Sequence, residues 1–183
     1  MTHSVSDALR QLHHTYYQSC QRQTGHSPYC DETFVDWPSP CIERIDNEKV
    51  YWQAQPQQSE ESLFDGVENA LELTLHPDIK AFYSAFFAGD ITLTIEQQAI
   101  TLLQVWNRED IERLQENMIG HLLMQKRLKQ TPTVFIGTTE DEHQVISICN
   151  LSGEVLLETL GKKQRRVLAD NLVNFLTRVE PLH

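Results

Sequence analysis

Four cysteines (20, 30, 41 and 149) and eight histidines are the residues able to hold a metal or supply a nucleophile. A zinc site draws its ligands in close pairs such as Cys-x2-Cys, whereas the nearest cysteines here stand ten and eleven residues apart. His26, between Cys20 and Cys30, completes only a loose set, and Cys20 falls on the apolar face of the first predicted helix. No metal and no cofactor are expected. His13 and His14 are adjacent, and neighbours on a helix point in different directions, so they do not ligate together. For nucleophilic catalysis Cys41 needs a histidine brought to it, His76 or His121, which leaves a cysteine-dependent hydrolase or transferase as an alternative reading. Cys149 closes the apolar run Val145-Ile-Ser-Ile-Cys149 and reads as a small buried apolar residue. His121, three after Met118 and three before Met124, reads as a satisfied, partly buried histidine. No Gly-rich phosphate loop, Gly-x-Ser-x-Gly elbow or His-Glu-x-x-His is present.

The carboxylates carry more information. The chain has 26 Asp and Glu against 15 Lys and Arg, a net charge of −11 with neutral histidines, and the excess is local. Residues 26–75 hold 11 acids against Arg44 and Lys49, and residues 76–120 hold 7 acids against 3 bases. Phosphate contacts need clustered Lys and Arg, so nucleic acid is not the expected partner of this acidic half; a basic partner is. The strongest anion-site candidate is Lys162-Lys163-Gln-Arg165-Arg166, joined by Lys126, Arg127 and Lys129 in a cationic edge, with solvated helix ends as the plainer account.

These side chains need elements to hold them. Ser4 with Asp7 makes a capping box before Val5, Leu9, Leu12, Tyr16 and Cys20, which predicts a helix over about 5–23. The Pro-rich loop through Pro40 leads to a hairpin, 41–45 and 50–52, turning at Asp46-Asn47-Glu48. Cys41 starts its first strand, placed by Pro38 and Pro40. Tyr51 and Trp52 point to opposite faces, one toward the core and one toward a partner. After a polar loop over 55–62, two short helices carry the acidic segment, the second bracketed by Pro77 and Gly89. A second hairpin pairs 91–95 with 99–106. Asn107 caps a helix over 108–128 in which Gly120 implies close approach to another backbone. A meander over 133–138, 144–150 and 154–160 follows, and Leu168, Leu172, Phe175, Leu176 and Val179 predict a last helix over 162–178 packed on the sheet.

Strands that arrive as hairpins, without strand–helix–strand alternation, give an α+β class: a mostly antiparallel mixed sheet of hairpins and a meander, packed with helices, in a single compact domain over 1–183. No apolar run reaches the ~20 residues that span a bilayer, and the N-terminus has no basic region followed by an apolar one, so a cytosolic location is expected.

Pro38-Ser-Pro-Cys-Ile42, Val50-Tyr-Trp-Gln53, Phe87-Ala-Gly-Asp90, Gln115-Glu-Asn-Met-Ile-Gly-His121 with Gln125-Lys-Arg-Leu-Lys129, and Ile148-Cys-Asn-Leu-Ser-Gly-Glu-Val155 occur in that order. Together they resemble Syd, the SecY-interacting family of gamma-proteobacteria, from the first helix to the last. The resemblance implies a non-enzymatic protein that binds SecY, the translocase channel subunit, monitors or restrains it, and prefers uncomplexed SecY. It implies loose, peripheral association with the cytoplasmic face of the inner membrane, through SecY. It also implies an electronegative concave docking surface, which agrees with the acidic bias because cytoplasmic loops of membrane proteins are rich in Lys and Arg. Glu48, Glu68, Glu72 and Asp90, then Asp36 and Glu116, are the expected contact residues, Glu68 and Glu72 sharing one side of their helix. The wider superfamily leaves one further alternative, an immunity-type protein that neutralises a basic toxin.

Overall fold

The computed structural model describes residues 4–58 and 62–182; of the polar loop predicted over 55–62, residues 59–61 lie outside the described residues. Helix α1, Val5–Thr24, begins as its sequence dictates: the Asp7 amide donates to Ser4 Oγ at 3.1 Å, and Gly25 closes it in the left-handed region. Val5, Ala8, Leu9 and Leu12 form its buried stripe. Strand β1 (Tyr29–Cys30) and a 3-10 turn at Glu32–Phe34 precede β2 (Ile42–Asp46), β3 (Lys49–Trp52) and β4 (Gln55–Pro56). Asn47 and Glu48 both take positive φ, 49° and 63°, as tight two-residue hairpin turns require. β1 joins the free edge of β3 to complete a three-stranded sheet.

Helices α2 (Asp65–Leu71) and α3 (Pro77–Ser84) come next, then β5 (Phe86–Phe87), which pairs with β4. The rest is β6 (Ile91–Ile95), β7 (Gln98–Leu102), α4 (Arg108–Arg127), β8 (Thr133–Thr139), β9 (Gln144–Cys149), β10 (Val155–Thr159), β11 (Arg165–Ala169), α5 (Leu172–Arg178) and β12 (Glu180–Pro181). β6 to β11 form a meander closed by β12 into a seven-stranded sheet ordered β11-β10-β9-β8-β7-β6-β12, in which every ladder is antiparallel. One isolated parallel bridge, Phe87 to Val105, ties the small sheet to the region after β7. The class is α+β.

Alternation builds the core: Ile91, Leu93 and Ile95 are buried while Thr92 and Thr94 are half-buried. Leu9, Ile79, Phe82 and Phe175 bring α1, α3 and α5 into the same cluster. Each such side chain contributes ~1.5–3 kcal/mol when fully buried. On the side of β8 to which Thr133 and Phe135 point, α4 covers the sheet through Gln125, bonded to Thr133, and His121, edge-on to Phe135 at 5.7 Å.

Six expectations change. Gln55 and Pro56, expected in a polar loop, pair with Phe87 and Phe86 as β4. Residues 162–178 are not one helix: β11 pairs with β10, where Arg165 and Glu158 are cross-strand partners, and Asn171 starts a shorter α5 by accepting the Asn174 amide. α3 stops at Ser84, because Phe86 and Phe87 are drawn into pairing with Gln55 and Pro56. The strand predicted over 99–106 ends at Leu102. Gly120 is exposed and nothing stands within 4 Å of where its Cβ would lie, so no close backbone approach explains it. Tyr51 and Trp52 are both buried, Trp52 in the main core and Tyr51 beneath Arg44, whose guanidinium lies 3.9 Å from the ring centre.

Candidate functional site

The Pro-flanked loop is fastened to the start of α4. Trp106 Nε1 donates to Trp37 O (2.8 Å), Asn107 Nδ2 to Pro38 O (2.7 Å), Ser39 Oγ to Trp106 O (2.6 Å) and Trp37 Nε1 to Glu109 Oε2 (3.2 Å). Between this loop, the segment after β7 and the first half of α4 lies a cleft of about 530 Å³. Tyr29, Phe34, Trp37 and Trp106 give it aromatic walls, and Tyr83, whose hydroxyl donates to Phe135 O at 2.6 Å, lies at its back.

Three carboxylates, Asp31, Asp90 and Asp110, line the cleft together with the cation Arg113. Asp110 is engaged: its oxygens accept from the Trp106 amide and from Arg113, each at 2.8 Å. Arg113 also lies over the Trp37 ring, 5.3 Å from its centre. Asp31 accepts from the Thr33 hydroxyl and amide, which hold its carboxyl below the usual range. Asp90 accepts only the Gln104 amide, at 2.8 Å, and has no cation partner among the described residues. Water reaches it from the cleft mouth, but the surrounding walls push its carboxyl up to about 6; the Gln104 amide and Arg113 pull it down and the Asp110 charge pushes it up. The same enclosure, with Asp90, Cys41 and Asp31 nearby, raises the Cys30 thiol to about 12. Such a cleft suits a cationic side chain, which would neutralise Asp90 and lie against aromatic faces.

Of the acids expected to make contacts, only Asp90 lines this cleft. Asp36 and Glu116 are exposed beside the lining residues Trp37 and Asn117. Glu68 is bound inward, accepting Lys80 Nζ and the Leu75 amide, each at 2.8 Å. Glu72 sits beyond the end of α2 in the left-handed region at φ 49°, so it does not share a helical face with Glu68. Glu48 is exposed at the β2–β3 turn. Asp31 belongs to no motif in the sequence, and Asp110 has there only the place of an acid in the first turn of α4, its amide donating to the capping Asn107.

The thiol and imidazole groups are held for other purposes. Cys41 is 1% exposed, its Sγ lies 2.9 Å from Ser39 Oγ, and burial raises its thiol to about 11. His76 caps α3, receiving the Asp78 amide at 3.1 Å, and its own amide donates to Asn150. His121 is half-buried as expected, but its buried Nε2 finds no partner among the described residues, so they do not fully satisfy this histidine. Among the described residues, no three His, Cys, Asp or Glu side chains converge as a metal ion requires.

Residues 6–181 match the family model described as Syd protein (SUKH-2). Over 182 residues and 100% of its length the chain is 46% identical to Protein Syd of Erwinia tasmaniensis (97% of that protein), and 47% to Protein Syd of Pectobacterium carotovorum subsp. carotovorum (99%). It is 44% identical to Protein Syd of Cronobacter sakazakii over the same span, again 99% of that chain. A family-model match and relatives of this identity, each spanning nearly the whole chain, make the assignment: the chain belongs to the Syd family.

Proposed function

We propose that this Syd-family chain is a non-catalytic docking module of one domain whose acidic cleft receives a basic cytoplasmic loop of SecY, and that it restrains or reports on the channel from there. The observation that carries this reading is Asp90, a carboxylate without a cation partner among the described residues, in a cleft with three acids, one arginine and aromatic walls. A Lys or Arg side chain from a loop rich in such residues supplies the missing charge. Asp90 is the central contact, with Asp31 and Asp110 around it. Asp36 and Glu116 act at the rim, and Glu48 and Glu72 contribute longer-range attraction. Glu68, already paired with Lys80, adds little net charge to the field.

Exposed ion pairs are worth ~0–1 kcal/mol each, so several must act together, and their reach is limited by a Debye length of ~8 Å at physiological salt. The complex is therefore salt-sensitive, and charge complementarity chiefly raises its association rate. Among the described residues no helix is long and apolar enough to cross a membrane; the protein works in the cytoplasm and at the cytoplasmic face of the inner membrane. Co-sedimentation with inverted inner-membrane vesicles, enriched in or depleted of SecY, tests this. Saturable, SecY-dependent binding that weakens with salt and is reduced by Asp90→Asn is expected; binding indifferent to SecY overturns it.

A further inference from the structure

The far end of α4 presents a surface of opposite character. Its last turns leave Leu123, Met124 and Leu128 exposed at 42%, 48% and 59%, interleaved with exposed Lys126, Arg127 and Lys129. Met124 and Leu128 extend, at helical spacing, the line of Leu114, Asn117 and His121 that begins in the acidic cleft. From Asp110 to Leu128 the helix rises ~27 Å, so one helix carries the cleft at its start and this patch at its end.

The end is built to hold its shape. The Gln130 amide donates to Gln125 O (2.9 Å) and the Lys129 amide to Lys126 O (3.2 Å), the two bonds of a Schellman ending. Lys129 occupies the left-handed position, φ 54°, that glycine ordinarily takes there, so a basic side chain is displayed at the tip. Gln125 anchors the helix end to Thr133, and Arg165 Nη2 donates to Thr131 O at 3.0 Å, which ties the β10–β11 hairpin to the segment after α4. Arg165 is neutralised by Glu158 (2.8 Å) and Arg166 by Glu96 (2.7 Å), so both serve structure. The turn with Glu140, Asp141 and Glu142 adjoins the tip of this hairpin, the Leu160 amide donating to His143 O at 2.7 Å, and Asp141 bears on Lys162. Lys126, Arg127 and Lys129 make no salt bridge among the described residues.

We infer that this basic, apolar end of α4 is a contact surface for the headgroup region of an anionic bilayer, reached without SecY. A bilayer surface matches both halves of the patch, since acyl-chain boundaries take up Leu and Met while anionic headgroups attract Lys and Arg. A nucleic acid has no use for the exposed Leu123, Met124 and Leu128. A basic protein loop is repelled by the patch itself. Seated this way, the cleft stands up to ~27 Å from the lipid, within reach of loops that project from a membrane protein.

Flotation of the purified full-length protein with protein-free vesicles tests this, comparing phosphatidylcholine alone with phosphatidylcholine containing phosphatidylglycerol across a salt series. Binding to the anionic vesicles only, weakening with salt, is expected. Lys126→Ala and Lys129→Ala should each weaken it about fivefold, the effect of one cation near a charged surface. Leu128→Ser should weaken binding while preserving its salt dependence. Absence of binding to anionic vesicles at low salt, or equal binding to neutral ones, overturns the inference. So does equal affinity for a soluble polyanion such as heparin in place of vesicles. Because these vesicles contain no SecY, the outcome is independent of cleft docking.

Discussion

Gly89 couples the core to the cleft, and replacing it by alanine tests that coupling. A Cβ there would lie 2.6 Å from Trp52 Nε1, 2.7 Å from Cε2 and 3.0 Å from Cζ2, well inside contact distance. The indole has little room to retreat: it is 3% exposed, stacked on Tyr16 with ring centres 6.2 Å apart, and met edge-on by His13 at 6.4 Å. Overpacking of this kind costs ~1–3 kcal/mol, and a ring of two fused cycles under backbone points to the upper end. With a urea dependence of ~2 kcal/mol per molar, the unfolding midpoint falls by about 1–1.5 M. The next residue is Asp90, so backbone displacement also moves the carboxylate away from the Gln104 amide and weakens partner binding. Urea unfolding followed by tryptophan fluorescence, with SecY-vesicle binding measured on the folded variant, reads both effects. A midpoint within about 0.2 M of the parent, with unchanged binding, would refute the packing argument.

Other consequences follow from the polar groups. Glu158 serves Arg165 and Thr133 at 2.8 Å each, with side-chain exposures of 12% and 20% for the ion pair; Glu158→Ala should cost ~2–3 kcal/mol in thermal or urea unfolding. Asp46→Ala, which breaks a pair with Arg44 whose side chains are 57% and 51% exposed, should change stability by less than ~0.5 kcal/mol. Asp90 titrates at about 6 in the folded chain, above the ordinary carboxylate range, so its contribution to stability is present at low pH and lost as pH rises through about 6. Asp90→Asn should therefore unfold at higher urea than the parent above about pH 7, while affinity for a cationic partner, carried by the ionised form, should fall as pH drops through about 6 in the parent and much less in the variant. Cys41, buried with its thiol at about 11, should resist alkylation in the folded protein, and Cys41→Ser should leave SecY binding within about twofold, a change below ~0.5 kcal/mol.

The sequence is most legible where local chemistry decides structure. The Ser4 and Asn107 caps, the turn at Asn47-Glu48 and the alternation of Ile91, Leu93 and Ile95 each specify one element, and each forms. The end of the chain misleads because Leu168 and Leu172 are four residues apart in a strand–turn–helix as they would be in one helix. Only the ladder partners of Arg165–Ala169 on β10 distinguish the two arrangements, and pairing across a turn leaves no helical or strand period in so short a segment. Asp90 was legible as an acid beside a glycine, but the cleft was not. It is assembled from residues near 30, 90, 104 and 113, and depends on four hydrogen bonds between the Trp37–Ser39 loop and the Trp106–Glu109 segment. Glu68 shows the converse: its acidity and helical position suggest a surface contact, and Lys80, twelve residues away, claims it instead.

Charge reversal with rescue tests the central claim most directly. Affinities of the parent and of Asp90→Lys for peptides of the SecY cytoplasmic loops, native and with each Lys or Arg replaced by Glu, would be measured by titration at fixed salt. The account predicts that Asp90→Lys loses the native loop, and that one Lys or Arg to Glu change in the loop restores binding to this variant while weakening it to the parent. Equal affinity of parent and Asp90→Lys for the native loops, with both proteins folded, would contradict it.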